Sequence, residues 1–223
     1  MECSIFNWVP HIVPLIFSSL AIFGFDMLLF ALNMRNVARW YKLHAFANFI
    51  VCLTSWRDVV SVITHPIQSF TPGSSYVPSN IVTALHLYHM IMFTDLTLID
   101  WIHHGVMMTI LQISYFCPDL LATNYILFMT SGLPGGIDYL LLIAVKAGYL
   151  SKLREKEMNS YINVWLRGPG IVIGAYIIYL RWQYAIIPYS GFSMFFVVAG
   201  LIWNGQYFTK RVVYNWAQKN IGN

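Results

Sequence analysis

The chain has 223 residues, of which 58% are hydrophobic and only 10% charged, with a mean hydropathy of +0.60. An ordinary soluble domain carries roughly 25% charged residues, so that class is excluded. The net charge of +4 comes from basic residues in a few short segments, a pattern that orients membrane helices and does not make a nucleic-acid surface.

Apolar stretches long enough to cross a bilayer recur along the chain. The expected fold is an all-α integral membrane protein, a single transmembrane domain over 1–223. It is a bundle of about seven helices around a lipid-accessible cavity, with six spans plus a short or re-entrant one as the alternative. The first stretch, 12–32, has no basic n-region and no clear small-residue cleavage site, so it reads as a retained span and not a signal peptide. It contains Asp26. A loop at 33–42 carries Arg35, Arg39 and Lys42. The second stretch, 43–64, holds Arg57 and Asp58. These neighbours lie about 100° apart on a helix and face different partners. The bland reading of the in-span acids and Arg57 is that they pair with one another and lock the packing. A loop at 65–79 has no Lys or Arg and contains Pro72-Gly73-Ser74-Ser75, an exposed turn.

The stretches 80–99 and 101–117 carry four histidines: His86, His89, His103 and His104. An imidazole in hydrocarbon is costly unless it faces a protein interior or a wet cavity, which makes the His103-His104 pair a site hypothesis. With a tight turn near residue 100, His89 lies about 15 Å below the turn and His103 only a few Å below it, at about 1.5 Å per residue. The two pairs then sit at different depths. No shared metal site is expected, and the role of His86 and His89 is left open. The same ruler puts Asp95 level with His104, where a carboxylate would fix the imidazole tautomer. As helix neighbours, His103 and His104 are not expected to face the same way.

The stretch 121–145 contains Gly132-Leu133-Pro134-Gly135-Gly136, which is expected to break the helix beside a cavity. Asp138 follows, close in depth to His104. The loop at 146–161 carries Lys146, Lys152, Arg154 and Lys156. The stretch 164–186 opens with Trp165 as an interface anchor and Arg167 as a candidate for a lipid or coenzyme A phosphate. It also contains Arg181. After 187–190, which has no Lys or Arg, comes 191–210, and the tail carries Lys210, Arg211 and Lys219. Basic and non-basic loops alternate. This gives a lumenal N-terminus and a cytosolic C-terminus. Cys3, Cys52 and Cys117 have no metal-ligand spacing. A Cys3–Cys117 bridge is geometrically open, but two free thiols are the expectation there.

An apolar helix leading into His103-His104, followed about thirty residues later by Asp138-Tyr139-Leu140-Leu141-Leu142-Ile143-Ala144-Val145-Lys146, resembles the TLC domain of the TRAM, LAG and CLN proteins. The C-terminal Trp203-Asn204-Gly205-Gln206-Tyr207-Phe208-Thr209-Lys210 is similar to the aromatic last helix of that domain. The resemblance covers about 40–212. It implies an endomembrane helical bundle, in the endoplasmic reticulum or a related membrane. In the ceramide synthase branch it implies acyl transfer from coenzyme A. His103 and His104 match the paired histidines and Asp138 the second acid. The His-Asp element of that branch has no counterpart, since Pro134, Gly135 and Gly136 fill its neighbourhood, which puts the chain nearer the other members.

Three functions follow as expectations. One is an enzyme acting on a lipid acyl group, with His103 or His104 as general base or nucleophile oriented by Asp95 or Asp138. Acyl-CoA would be a co-substrate, and no resident cofactor or metal is expected. Another is a lipid-binding protein with the same cavity and no turnover. The third is a seven-helix receptor-like protein. A retinal version would need a lysine within a helix, and the last span has only Lys210, at its end. The expected partner in the first two is a membrane lipid or long-chain acyl substrate, with no nucleic acid.

Overall fold

The computed structural model describes residues 8–67, 74–93, 96–116 and 120–221, the last without the Leu120 side chain. Among them are nine α-helices and no strand. They are α1 (Val9–Ala31), α2 (Arg39–Thr64), α3 (Val77–Met92), α4 (Leu98–Phe116), α5 (Leu120–Leu127), α6 (Leu133–Lys146), α7 (Lys152–Ile162), α8 (Gly168–Gln183) and α9 (Gly191–Ile221). A π-helical turn, Phe128–Gly132, joins α5 to α6, and a second, Asn163–Arg167, joins α7 to α8. The described chain therefore forms seven helical rods. Four of them, Val9–Ala31, Arg39–Thr64, Leu121–Lys146 and Lys152–Gln183, are long and apolar enough to cross a membrane.

Local chemistry sets the ends. Proline opens α1 and α3, where its fixed φ suits the first turn and its missing N–H is not needed. The Ser151 hydroxyl caps α7 by accepting the Arg154 N–H at 3.2 Å. Both π turns have one cause. Each ends two residues before a proline, Pro134 or Pro169. A proline ring collides with the carbonyl four residues back in an α-helix, here that of Thr130 or Trp165. The wider turn moves that carbonyl aside. Gly132-Leu133-Pro134-Gly135-Gly136 is accordingly a bulge in a continuous rod, not the expected break.

α2 packs against α3, α5 and α6 and is the central rod. One apolar cluster joins Val59, Val62, Leu121, Tyr125, Ile171, Ile178 and Leu201. A second joins Ile22, Leu43, Val51, Ile81, Leu85 and Leu111. Ile16, Phe17, Leu20 and Phe23 of α1 and Trp56, Val60 and Ile63 of α2 are exposed. An apolar face of that extent is uncommon on a soluble monomer and is what a membrane helix presents to lipid.

The in-span charges do not pair as expected. Asp26 is fully buried and binds Arg35 and Arg39 of the following segment. Asp58 accepts from Ser74 Oγ at 2.9 Å and from Asn124. Arg57 is exposed, over the Trp56 ring. Buried Arg181 donates to the Pro66 carbonyl at 3.4 Å. Among the described residues each of these charges thus has a partner in space, and no acid is paired with Arg57. Cys52 is a free thiol; Cys3 and Cys117 lie outside the described residues.

Candidate functional site

Between the two apolar clusters lies a cavity of about 290 Å³, near the lower end of the range for small-molecule sites, ~300–1,000 Å³. Its lining is unusually polar for an apolar bundle. It includes His44 and Asn48 from α2, His86 and His89 from α3, Asp100, His103 and His104 from α4, and Asn204 from α9. Thr130 and Ser131 come from the first π turn, Asp138 and Tyr139 from α6, and Arg167 from the second π turn. Both π turns therefore line the cavity, in keeping with the frequent placement of such bulges at functional sites.

The structure brings the four central histidines together. His86 and His89 each lie 5.0 Å, ring centre to ring centre, from His104. His86 is 6.2 Å from His103. The expected difference in depth is wrong because the turn is not at residue 100. α3 ends at Met92 and α4 begins at Leu98. Measured from that connection, His89 and His103 each lie within about one and a half helical turns of a helix end and come level.

His103 and His104 face different neighbours, as expected of adjacent helix residues, yet both line the cavity. The cavity is wide enough to reach both sides of α4. His104 faces α3, and His103 faces α9, where its Nδ1 donates to Asn204 Oδ1 at 3.0 Å and its ring meets Phe208 edge-on. His86 Nδ1 donates to the Val82 carbonyl at 2.8 Å, which leaves its Nε2 as an acceptor. His89 stacks on Trp40. Among the described residues no three His, Cys, Asp or Glu side chains are set to share a metal ion.

Asp138 lines the same cavity as His104 but is bound elsewhere. Its Oδ1 accepts from Asn159 Nδ2 at 2.6 Å, and its Oδ2 is 3.9 Å from Arg167. Asp95 lies outside the described residues. Asp100, three residues before His103, also lines the cavity and accepts from the Thr97 N–H and hydroxyl. Arg167 points inward, held by Asn163 Oδ1 at 3.0 Å. Trp165 is 76% exposed on the outer surface, so the two do not form one head-group site. A file of side chains one helical turn apart, Glu155, Asn159, Asn163 and Arg167, runs along this rod to the cavity.

Several buried polar atoms around the cavity have no hydrogen-bond partner: His44 Nε2, both carboxamide atoms of Asn48, His104 Nδ1 and Arg167 Nε. Buried polar groups are ordinarily paired, so this concentration of unpaired atoms singles out the cavity as the candidate site.

Comparison with protein-family models, with curated proteins and with solved structures finds no match. Sequence reasoning did not single out His44, Asn48, Asp100 or Asn204 as site residues. Asn48 had a readable signal, a carboxamide four residues after a histidine on an otherwise apolar helix face.

Proposed function

We propose that this chain is a TLC-like multi-pass membrane protein that takes the polar end of a membrane lipid or long-chain acyl substrate into the histidine-lined cavity and acts on it by acyl transfer. The observation that carries this reading is the convergence of His103 and His104 on one polar cavity inside a bundle whose outer faces are apolar. His103 or His104 serves as general base or nucleophile, Arg167 contacts the head group, and acyl-CoA is the co-substrate. Trp165 anchors the outer surface at the membrane interface. All seven rods span the membrane of the endoplasmic reticulum or a related compartment, N-terminus lumenal and C-terminus cytosolic. The cavity residues lie toward the rod ends that carry the basic segments, which this orientation turns to the cytosol, where acyl-CoA would be met.

A specific observation favours a second reading, lipid binding without turnover. Among the described residues neither His103 nor His104 is bonded to a carboxylate; His103 holds Asn204 and Asp138 holds Asn159. The lipid profile of cells expressing the wild type, compared with His103→Ala plus His104→Ala, separates the two. Loss of a general base lowers turnover by about 10²–10⁴, so under the catalytic reading the variant profile reverts to that of cells lacking the protein. Identical wild-type and variant profiles, with both proteins folded and correctly placed, leave the binding reading.

A further inference from the structure

Asn48 sits in the middle of α2 with 1% of its surface exposed. Both ends of its carboxamide lack a partner, although it lines the cavity. Leaving a buried donor and a buried acceptor unmade is unfavourable twice over. A valine or leucine would fill the volume without that penalty. An empty carboxamide facing a cavity is therefore shaped for something that enters the cavity.

Gly135 keeps the approach to it open. A Cβ at that position would lie 2.9 Å from Asn48 Nδ2 and 3.4 Å from an Arg167 terminal nitrogen. Any side chain there would cover the carboxamide and crowd the guanidinium. Gly135, Asn48 and Arg167 thus form one small polar corner of the cavity.

The charge of that corner identifies what it accepts. Arg167 would attract an anion if it stood alone. It stands 3.9 Å from Asp138, and the two formal charges cancel. A phosphate or carboxylate would gain the guanidinium but meet the carboxylate behind it. A neutral group meets no such opposition. Asparagine offers a donor and an acceptor on one planar group. Its best complement is a neutral planar group with an acceptor and a donor on one carbon.

We infer that Asn48, left uncovered by any side chain at Gly135 and flanked by the neutralised Arg167–Asp138 pair, is a specificity subsite for a neutral lipid head of the carboxamide type. The head's carbonyl accepts from Asn48 Nδ2 and its N–H donates to Asn48 Oδ1. The unpartnered Arg167 Nε–H is a further donor in the same corner for that carbonyl. This rests on the proposal that the cavity takes the polar end of a long-chain lipid. A site built around such hydrogen bonds discriminates strongly against an analogue that lacks one, because its own buried groups are then left unpaired.

The test is equilibrium binding of three probes with the same tail, oleamide, methyl oleate and oleate, to the full chain in phosphatidylcholine nanodiscs. Oleamide is expected to bind tightest, about ten-fold or more above methyl oleate, which has no donor. Asn48→Leu is expected to erase that difference while leaving binding through the tail, and Gly135→Ala to weaken oleamide alone. Equal binding of the amide and the ester to the wild type overturns the subsite, and that comparison does not depend on any variant folding. Tightest binding of oleate also overturns it, in favour of an anion site at Arg167. A head-group preference that survives in folded Asn48→Leu does the same. If the probes bind without preference, the subsite fails and the lipid cavity stands. If none binds, both fail.

Discussion

Among single residues, Asp26 is a densely bonded buried charge. Its carboxylate is fully buried and accepts four hydrogen bonds, two from Arg39 at 2.7 and 2.6 Å, one from Arg35 at 2.8 Å and one from Tyr88 at 2.7 Å. It ties the end of α1 to the start of α2 and to α3. Asp26→Asn keeps the shape and removes the charge, leaving two guanidiniums together without a counter-ion. Breaking a fully buried pair costs ~3–5 kcal/mol. Arg35 and Arg39 keep 28% and 20% of their side-chain surface exposed, so solvent screening reduces the loss to on the order of 2–3 kcal/mol. The expected result is a clearly lowered melting temperature in detergent with helical content retained below the transition. An unchanged melting temperature would show that Asp26 does not hold this corner. Sequence placed Asp26 inside a span and asked for a partner there. Its charged partners lie in the next segment, because the backbone turns at 32–38 and brings Arg35 and Arg39 back over the helix end. Hydrophobic periodicity carries no signal for such a return.

At the scale of helices, the rod α7–α8 shows how small residues set distance. Gly170 and Gly174 are four apart on one face of α8. A Cβ on Gly170 would lie 2.7 Å from Met129 Sδ, and one on Gly174 would lie 2.8 Å from Ile126 Cγ1. This is the small-residue spacing that lets membrane helices approach closely. Gly174→Val forces the rods apart by overpacking, typically ~1–3 kcal/mol. It should lower the detergent melting temperature, whereas Gly24→Val, where nothing lies within 4 Å of the added Cβ, should leave it nearly unchanged. Equal effects at both positions would refute the close-packing account. That spacing went unused as a sequence signal. The positions of the rods were readable, because apolar length is a strong signal. What was misread was the connection after His89. A residue count fixes depth only if the turn is known, and the run 93–102, in which polar Thr and Asp alternate with Leu, Ile and Trp, carries no glycine or proline to show where α3 stops. That one error separated four histidines that the fold brings together.

At the scale of the whole molecule, the alternation of basic and non-basic segments gives a sidedness that one experiment can check. Single cysteines at Ser151, beside Lys152, and at Ser190, in a turn without Lys or Arg, belong to opposite ends of the bundle. Ser151→Cys is expected to react with an impermeant maleimide from the cytosol, and Ser190→Cys only after the lumenal side is opened. Reaction of Ser190→Cys from the cytosol would refute the seven-span orientation. The all-helical class and the convergence of His104 with Asp138 on one cavity were legible in the sequence, as a carboxylate and an imidazole at matched depths. Their failure to bond was not. Asn159, which takes the Asp138 carboxylate, lies in a segment that reads as a basic loop and turns out to be helix.

The two π turns carry a further consequence for the history of the chain. Each is one surplus residue absorbed within an otherwise α-helical rod, so the helix faces before and after it stay in phase. Elsewhere in the same rods a one-residue gain or loss would swing everything downstream by about 100° and turn Asp138 or Arg167 away from the cavity. Phe128–Gly132 and Asn163–Arg167 are therefore the two places where the length of these rods could drift by a residue while the far end kept its aim. A distant relative aligned to this chain should carry its single-residue gaps there.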